Sequence, residues 1–313
     1  MVMQSVLYNS PRKIMLSLAC LPLLASGAAY GEDRLPPLNL KGVYECSFSD
    51  VVIGEMGVEI TQTPDHYSET SDIVSTGILK MFVNHSSHTT VEGSGSNFTY
   101  PAIDYDTHYQ TKKKKKTAML KYRGGVLTEE NVTPPDNRAT RPEVPMNLKQ
   151  SASDPLSLII RMRQGLFEAL HSAPSPLEGE GRGGGGSSDN ALNKRPPHPN
   201  PPPQGVRGFS LNIYDGRRLT EVDFTVIGPK TINYQGADTP VTMVDVRRKF
   251  LAGFTQSELS DWNPNEPPLH VYFSNDARLM PLRLELTLWM GTLAATLVKE
   301  CGAGESCLLG ITE

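Results

Sequence analysis

At 313 residues the chain is long enough for one large or two ordinary domains and a sizeable core. Its 30 Lys and Arg stand against 34 Asp and Glu, a formal charge of -4, which argues against a nucleic-acid binder working through phosphate neutralisation. A mean hydropathy of -0.32, with a single apolar stretch near the N-terminus, excludes a polytopic helical membrane protein.

Arg12 and Lys13 precede a short apolar core, Ile14 to Ala25, and the small residues Ser26, Gly27, Ala28 and Ala29 follow. Basic flank, short apolar run and small-residue exit are the three parts of an export signal, predicted over 1–31, with cleavage between Gly27 and Glu32. Lipoprotein processing at Cys20 is the weaker alternative, because the apolar run before that cysteine is very short. The expected location is the periplasm, with no transmembrane span after signal removal.

In the mature chain, Tyr44, Cys46 and Phe48 alternate with Glu45 and Ser47, and Met56, Val58 and Ile60 alternate with Gly57 and Glu59. Period-two patterning of this kind predicts two half-buried strands joined by a turn. A third strand is predicted over 78–83 and a fourth over 119–122. Between them, His85, Ser86, Ser87 and His88 read as a polar loop with two imidazoles but no rigid support for a metal. Gly93, Ser94, Gly95 and Ser96 read as a flexible turn. Lys112, Lys113, Lys114, Lys115 and Lys116 form a run suited to a solvated loop or strand end, and are candidate contacts for anionic lipid or another envelope component.

Asp154 is a good helix N-cap and Pro155 suits the first helical position. Leu156, Ile159, Ile160, Phe167 and Leu170 then fall on one helical face. Residues 172–207 change composition, with a glycine run from Gly183 to Gly186 and prolines at 196, 197, 199 and 201–203. Such a segment cannot bury apolar area and is predicted to be a disordered insert within a single β domain, 32–171 and 208–313. Its arms, 176–181 and 201–205, can be written in codons that are inverted repeats, which suggests a DNA element inserted in frame.

After the insert, Phe209, Leu211 and Ile213 run into Asp215 and Gly216, a two-residue hairpin signal, and Val222, Phe224 and Val226 return. Further strands are predicted over 241–246 and 269–273. The clearest hairpin is last: Leu282, Leu284, Leu286 and Leu288, a turn at Gly291 and Thr292, then Leu293, Ala295 and Leu297. Export leaves Cys46, Cys301 and Cys307, an odd number in an oxidising compartment. Cys301 can meet Cys307 across a flexible connection, Cys46 can pair with either, or all three can stay free.

Many short strands with one apolar face and one helix predict a mainly β fold: a strongly curved antiparallel sheet, or a partly open β-barrel with one covering helix. Barrels of this kind are filled by side chains or hold an apolar ligand. A cavity would be lined by Phe224, Leu284, Leu286, Leu288, Ile159 and Ile160. Arg217, Arg218, Arg278 and Arg283 are candidate contacts for an anion, since a guanidinium fork binds carboxylate or phosphate bidentately. No Gly-x-Ser-x-Gly elbow, His-Glu-x-x-His helix or phosphate loop is present, so the residues point to no catalytic group, metal or cofactor.

Tyr214 through Arg218, the stretch 271–283 with Tyr272, Asn275, Asp276, Arg278 and Pro281, and Met290 through Leu293 resemble a bacterial exported family, domain of unknown function 3108. Tyr44, Gly54 through Gly57 and the helix start at Asp154 to Leu156 fit the same pattern, and the Pro/Gly insert departs from it. The resemblance implies an envelope protein with a curved sheet loosely similar to lipoprotein carriers, and supplies no catalytic residue. The expected function is a non-enzymatic binding or carrier domain for an apolar or lipid-like ligand. A structural or interaction protein with a filled core is the alternative, and a hydrolase has the least support.

Overall fold

The computed structural model describes residues 35–171 and 208–311, apart from 83, 97–101, 113, 136 and 138. The expected export signal, Cys20 and the 172–207 insert with its repeat arms lie outside the described residues.

The first half of the fold is a meander of β1 (Leu38–Phe48), β2 (Val51–Gln62), β3 (His66–Ser75), a short helix α1 (Gly77–Phe82), β4 (Ser86–Ser94), β5 (Ala102–Gln110), β6 (Lys115–Arg123) and β7 (Val126–Thr133). Two helices follow, α2 (Met146–Lys149) and α3 (Leu158–His171). The second half contains β8 (Gly208–Tyr214), β9 (Leu219–Tyr234), β10 (Ala237–Ala252), α4 (Gln256–Ser260), β11 (Leu269–Ser274), β12 (Pro281–Leu288) and β13 (Gly291–Glu300). Among the described residues these make one antiparallel sheet of 13 strands, ordered β7-β6-β5-β4-β3-β2-β1-β13-β12-β11-β10-β9-β8. Only the β1–β13 pairing is non-local; every other neighbour follows in sequence.

Contacts of α3 show how far the sheet curls. At its N-terminal side Ser157 Oγ lies 2.6 Å from the Tyr67 hydroxyl on β3, and Gly165 lies against the Phe209 ring on β8. Strands β3 and β8 are eight places apart in the sheet, roughly 38 Å if it were flat. One helix about 10 Å across reaches both only if the sheet wraps around it. The core fills the space between: Tyr44, Ile60, Leu120, Phe224, Val271, Phe273, Ile160 and Leu166 are all buried.

The edge strands β7 and β8 do not share a ladder. The segment after α2 closes the gap instead: Ser153 N–H donates to Asn212 O and Tyr214 N–H donates to Ser153 O, both at 2.8 Å. Glu130 on β7 accepts from Tyr214 OH at 3.0 Å and from the buried Lys149 ammonium at 2.7 Å. The protein is therefore a partly open barrel sealed by side chains, with one covering helix, as the alternation predicts.

The ladder register puts the connections at two ends. One end holds the turns 49–50, 111–114, 215–218 and 289–290 together with α1; the other holds 63–65, 124–125, 235–236 and the 275–280 loop. At the second end the wholly buried Arg163 of α3 donates to Arg278 O and Gln62 Oε1, both at 2.6 Å, and to Pro36 O at 2.8 Å.

Several local expectations are corrected. Where a strand is predicted over 78–83, residues 78–82 belong to the helix α1: six apolar-rich residues do not distinguish the two periods, and Gly77, at φ +55°, breaks the extended chain. The polar stretch from Ser86 to Ser94 is strand β4, including Gly93, where a Cβ would sit 2.0 Å from the Tyr67 ring, so the glycine is a packing requirement. The hairpin after β8 has a four-residue turn, 215–218, whose Asp215 carboxylate accepts the N–H groups of Arg217 and Arg218. The β12–β13 turn is Trp289 and Met290, and Gly291 already belongs to β13. Of the expected α3 face, Ile160 is buried and Leu156, Ile159 and Phe167 pack against the core, whereas Leu170 is exposed; Met162, Arg163 and Leu166 are buried as well.

Cys301 and Cys307 form a disulfide and Cys46 is free. The disulfide loop and the residues just after it strap across β1–β3: Cys301 N–H bonds Lys41 O at 2.9 Å, Cys307 N–H bonds Glu59 at 3.0 Å, and Leu309 N–H bonds Asp72 at 2.8 Å. Gly57 permits this, since a Cβ there would lie 2.2 Å from Cys307 O.

Candidate functional site

Strands β8 to β12 carry apolar residues on the concave side, and near the end that bears the 215–218 turn they are not fully covered by α3. The result is a cleft of about 380 Å³. Leu158 and Pro155 form its helix wall, Ile213, Val222 and Val246 its sheet wall, and Leu269 and Leu286 its floor. Register explains the grouping, because Leu269 faces both Val246 on β10 and Leu286 on β12. The 263–267 loop closes one side with Asn263, Pro264, Glu266 and Pro267.

Arg218, Arg247 and Arg248 stand at the rim. Each is held from a neighbouring element. Arg247 Nη1 donates to Glu266 O at 3.1 Å and Arg248 Nη2 to Glu266 Oε2 at 2.8 Å. Arg218 Nε lies 3.4 Å from Glu258, which also takes a two-pronged contact from Arg141, both bonds 2.9 Å. The Arg141 fork holds the Glu258 carboxyl down to about 2. Glu258 is also the reciprocal partner of Thr255 in the capping box of α4, so the rim is fixed by helix-cap chemistry. An apolar wall with a few convergent cationic groups suits a ligand with an apolar body and an acidic head.

Of the six predicted cavity residues, Leu286 alone lines this cleft. Phe224 and Ile160 are about 1% exposed and belong to the core, Leu284 and Ile159 are half-buried against it, and Leu288 is half-buried near the β12–β13 turn. The helix wall comes from Leu158, one residue before the predicted pair. The four predicted anion-binding arginines do not converge. Arg278 bonds Asp276 and Glu300, Arg283 bonds Glu285 at 3.0 Å, and Arg217 donates to Pro134 O. Only Arg218 reaches the cleft, and its companions Arg247 and Arg248 escaped the sequence reading because strand alternation does not say which neighbours a bulged strand brings together.

A second polar group lies inside the barrel. Glu69 on β3 and Asp154 before α3 are buried, and burial pushes both carboxyls up, Glu69 further because Asp154 adds like charge. Asp154 is compensated by the N–H groups of Leu156 and Ser157 at 2.9 Å, whereas Glu69 Oε2 has no hydrogen-bond partner. Tyr67, Tyr105 and Tyr122 surround the pair, their phenols raised by burial first and by Asp154 second. Among the described residues no three His, Cys, Asp or Glu are grouped to hold a metal ion. His88 lies on a strand with Nδ1 2.6 Å from Asp72. No described helix is long and apolar enough to cross a membrane.

No protein-family model matches the chain, and no curated protein matches it. Among solved structures it is similar to a β-barrel-like protein of domain of unknown function DUF1849 from Brucella abortus, at 10% identity and a TM-score of 0.47, over 86% of this chain and 98% of that one.

Proposed function

We propose that the chain is a non-enzymatic binding domain of the bacterial envelope that holds an amphipathic ligand, apolar body inward and acidic head at the arginine rim. The cleft of about 380 Å³ between α3 and β8–β12 carries this reading, being of ligand-pocket size and walled by aliphatic side chains. The expected export signal and the Cys301–Cys307 disulfide, a bond that persists in oxidising compartments, support a periplasmic location. The resemblance to domain of unknown function 3108 points the same way. A well-filled core around Phe224, Ile160 and Leu120 favours the alternative, an interaction protein without a ligand.

Native mass spectrometry of the mature chain titrated with palmitate separates the two. The binding reading expects a one-to-one complex that weakens about tenfold in Leu286→Trp, which fills the cleft floor, and weakens also in Arg248→Ala. No complex, or one indifferent to Leu286→Trp, refutes it.

A further inference from the structure

The end of the barrel that bears the 49–50, 111–114 and 289–290 turns groups several exposed apolar side chains together. Trp289 is 93% exposed and Met290 58%, together forming the β12–β13 tip. Beside them at the β1–β2 turn, Val51 and Val52 are 56% and 38% exposed, and Met81 on α1 is 70% exposed. These residues belong to one arc. Ser49 N–H donates to Thr292 O at 2.8 Å, which ties the first two tips, and Thr76 N–H donates to Ile53 O at 2.9 Å, which ties α1 to β2. Lys112 Nζ then donates to Met81 O, which joins α1 to the β5–β6 turn.

That next turn is the lysine run. Lys112, Lys114 and Lys115 are exposed, and Lys113 lies outside the described residues. Lys116 is held below its ordinary range by burial and then by the nearby positive charge of Arg217, Arg218, Lys114 and Arg141, so the cationic field continues past the run. Asp50 stands among the apolar tips. An exposed tryptophan with aliphatic neighbours, flanked by a block of lysines on one rim, is the composition of a surface that settles at an anionic bilayer interface: the indole enters the headgroup region and the ammonium groups meet lipid phosphates. We infer that this rim, from Trp289 through Met81 to Lys115, docks the protein on an anionic lipid surface.

The test is flotation of the mature chain with vesicles of phosphatidylcholine containing about one-third phosphatidylglycerol, against phosphatidylcholine alone. A Trp262→Phe background leaves Trp289 as the reporter, and its emission should shift to the blue on binding. Partitioning should be about tenfold or more stronger on the anionic vesicles and should fall with added salt. The joint change Trp289→Ser and Met290→Ser should weaken it about tenfold, and Lys112→Ser, Lys114→Ser and Lys115→Ser together roughly 100-fold. All five side chains are exposed, so far-UV circular dichroism should be unchanged. Lys230→Ser, near the other end, serves as the charge control and should bind as before. Absence of binding, binding that ignores the tip changes, or binding to dextran sulfate with none to vesicles overturns the inference. Leu286→Trp should leave flotation intact, so failure of the cleft reading and failure of this one are separable.

Discussion

Replacing Arg163 by alanine tests whether α3 is locked into the barrel as its hydrogen bonds indicate. The guanidinium is wholly buried and donates to three acceptors from separate parts of the chain: Pro36 O before β1, Gln62 Oε1 at the end of β2 and Arg278 O in the loop before β12. Truncation removes the donor to the buried Gln62 Oε1 and to the part-buried Pro36 and Arg278 carbonyls, and opens a cavity the size of a long side chain. Breaking buried charged contacts of this kind costs about 3–5 kcal/mol. For a domain of this size each kcal/mol moves the midpoint by about 2–4 °C, so the melting temperature should fall by about 10 °C. Thermal unfolding followed by circular dichroism measures this directly, provided the transition is single and reversible. Arg163→Lys restores charge but cannot reach all three acceptors and should fall between the two. Should Arg163→Ala melt within about 2 °C of the unaltered protein, the network is not what holds the helix, and the account of the barrel's closed end fails.

Two further perturbations address the interior carboxyls and the strap. Glu69 has its folded-state pKa raised by burial and by Asp154, so the stability tied to its neutral form is full below the unfolded value of about 4.3 and is lost as pH rises through the folded value. Glu69→Gln should therefore gain on the unaltered protein in urea melts as pH goes from about 5 to about 8, and a mutant that loses ground over that range contradicts the assignment. Cys301→Ser removes a disulfide of sequence separation 6, worth about 2 kcal/mol by loop closure. Its urea midpoint should match that of the reduced unaltered protein, and a midpoint that matches the oxidised form instead would show that the strap adds nothing.

The strands whose inward residues are aliphatic were legible from their alternation, and those with polar interiors were not. Leu282 to Leu288 shows period two plainly, and β12 follows it. Strand β3 was missed because, beside Tyr67, its buried positions are Glu69, Ser71, Asp72 and Ser75, which no hydrophobic count detects. Strands β9 and β10 are each 16 residues long, yet only their halves beside β8 and β11 show a pattern. Beyond Val226 strand β9 has no partner on the β8 side, and only Ile232 and Tyr234 among its last residues pack back against the core, too few to mark a strand face. The cleft was half legible for a related reason. Leu286 is a strand residue with a readable face, whereas Arg247 and Arg248 lie on β10 between bulges at Met243/Val244 and Phe250/Ala252, and the 263–267 loop has no periodicity to read. A bulge changes which residues share a face without changing the composition around it.

The two ends of the barrel differ in a way that bears on how a ligand would reach the cleft. At the 63–65 and 275–280 end, Arg163 binds three segments together, and Tyr44 OH donates to Pro281 O at 2.7 Å from a fully buried position. Opening that end would break several hydrogen bonds at once, each with a net worth of about 0.5–1.5 kcal/mol and more for those from the guanidinium. At the opposite end the 49–50, 111–114 and 289–290 connections are short turns, and the cleft floor residue Leu286 pairs with Leu293, two ladder positions from the Trp289 and Met290 turn. The cheap route into the barrel therefore lies at the end that also carries the apolar tips and the lysines. A ligand drawn from a bilayer would meet the cleft at the surface on which the protein settles, and one drawn from water would gain nothing from that coincidence. Transfer of a fluorescent fatty acid from anionic vesicles should slow in the Trp289→Ser and Met290→Ser protein while its solution affinity for palmitate stays unchanged. Equal slowing of both would place the tips in the cleft itself, and slowing of neither would separate the two surfaces.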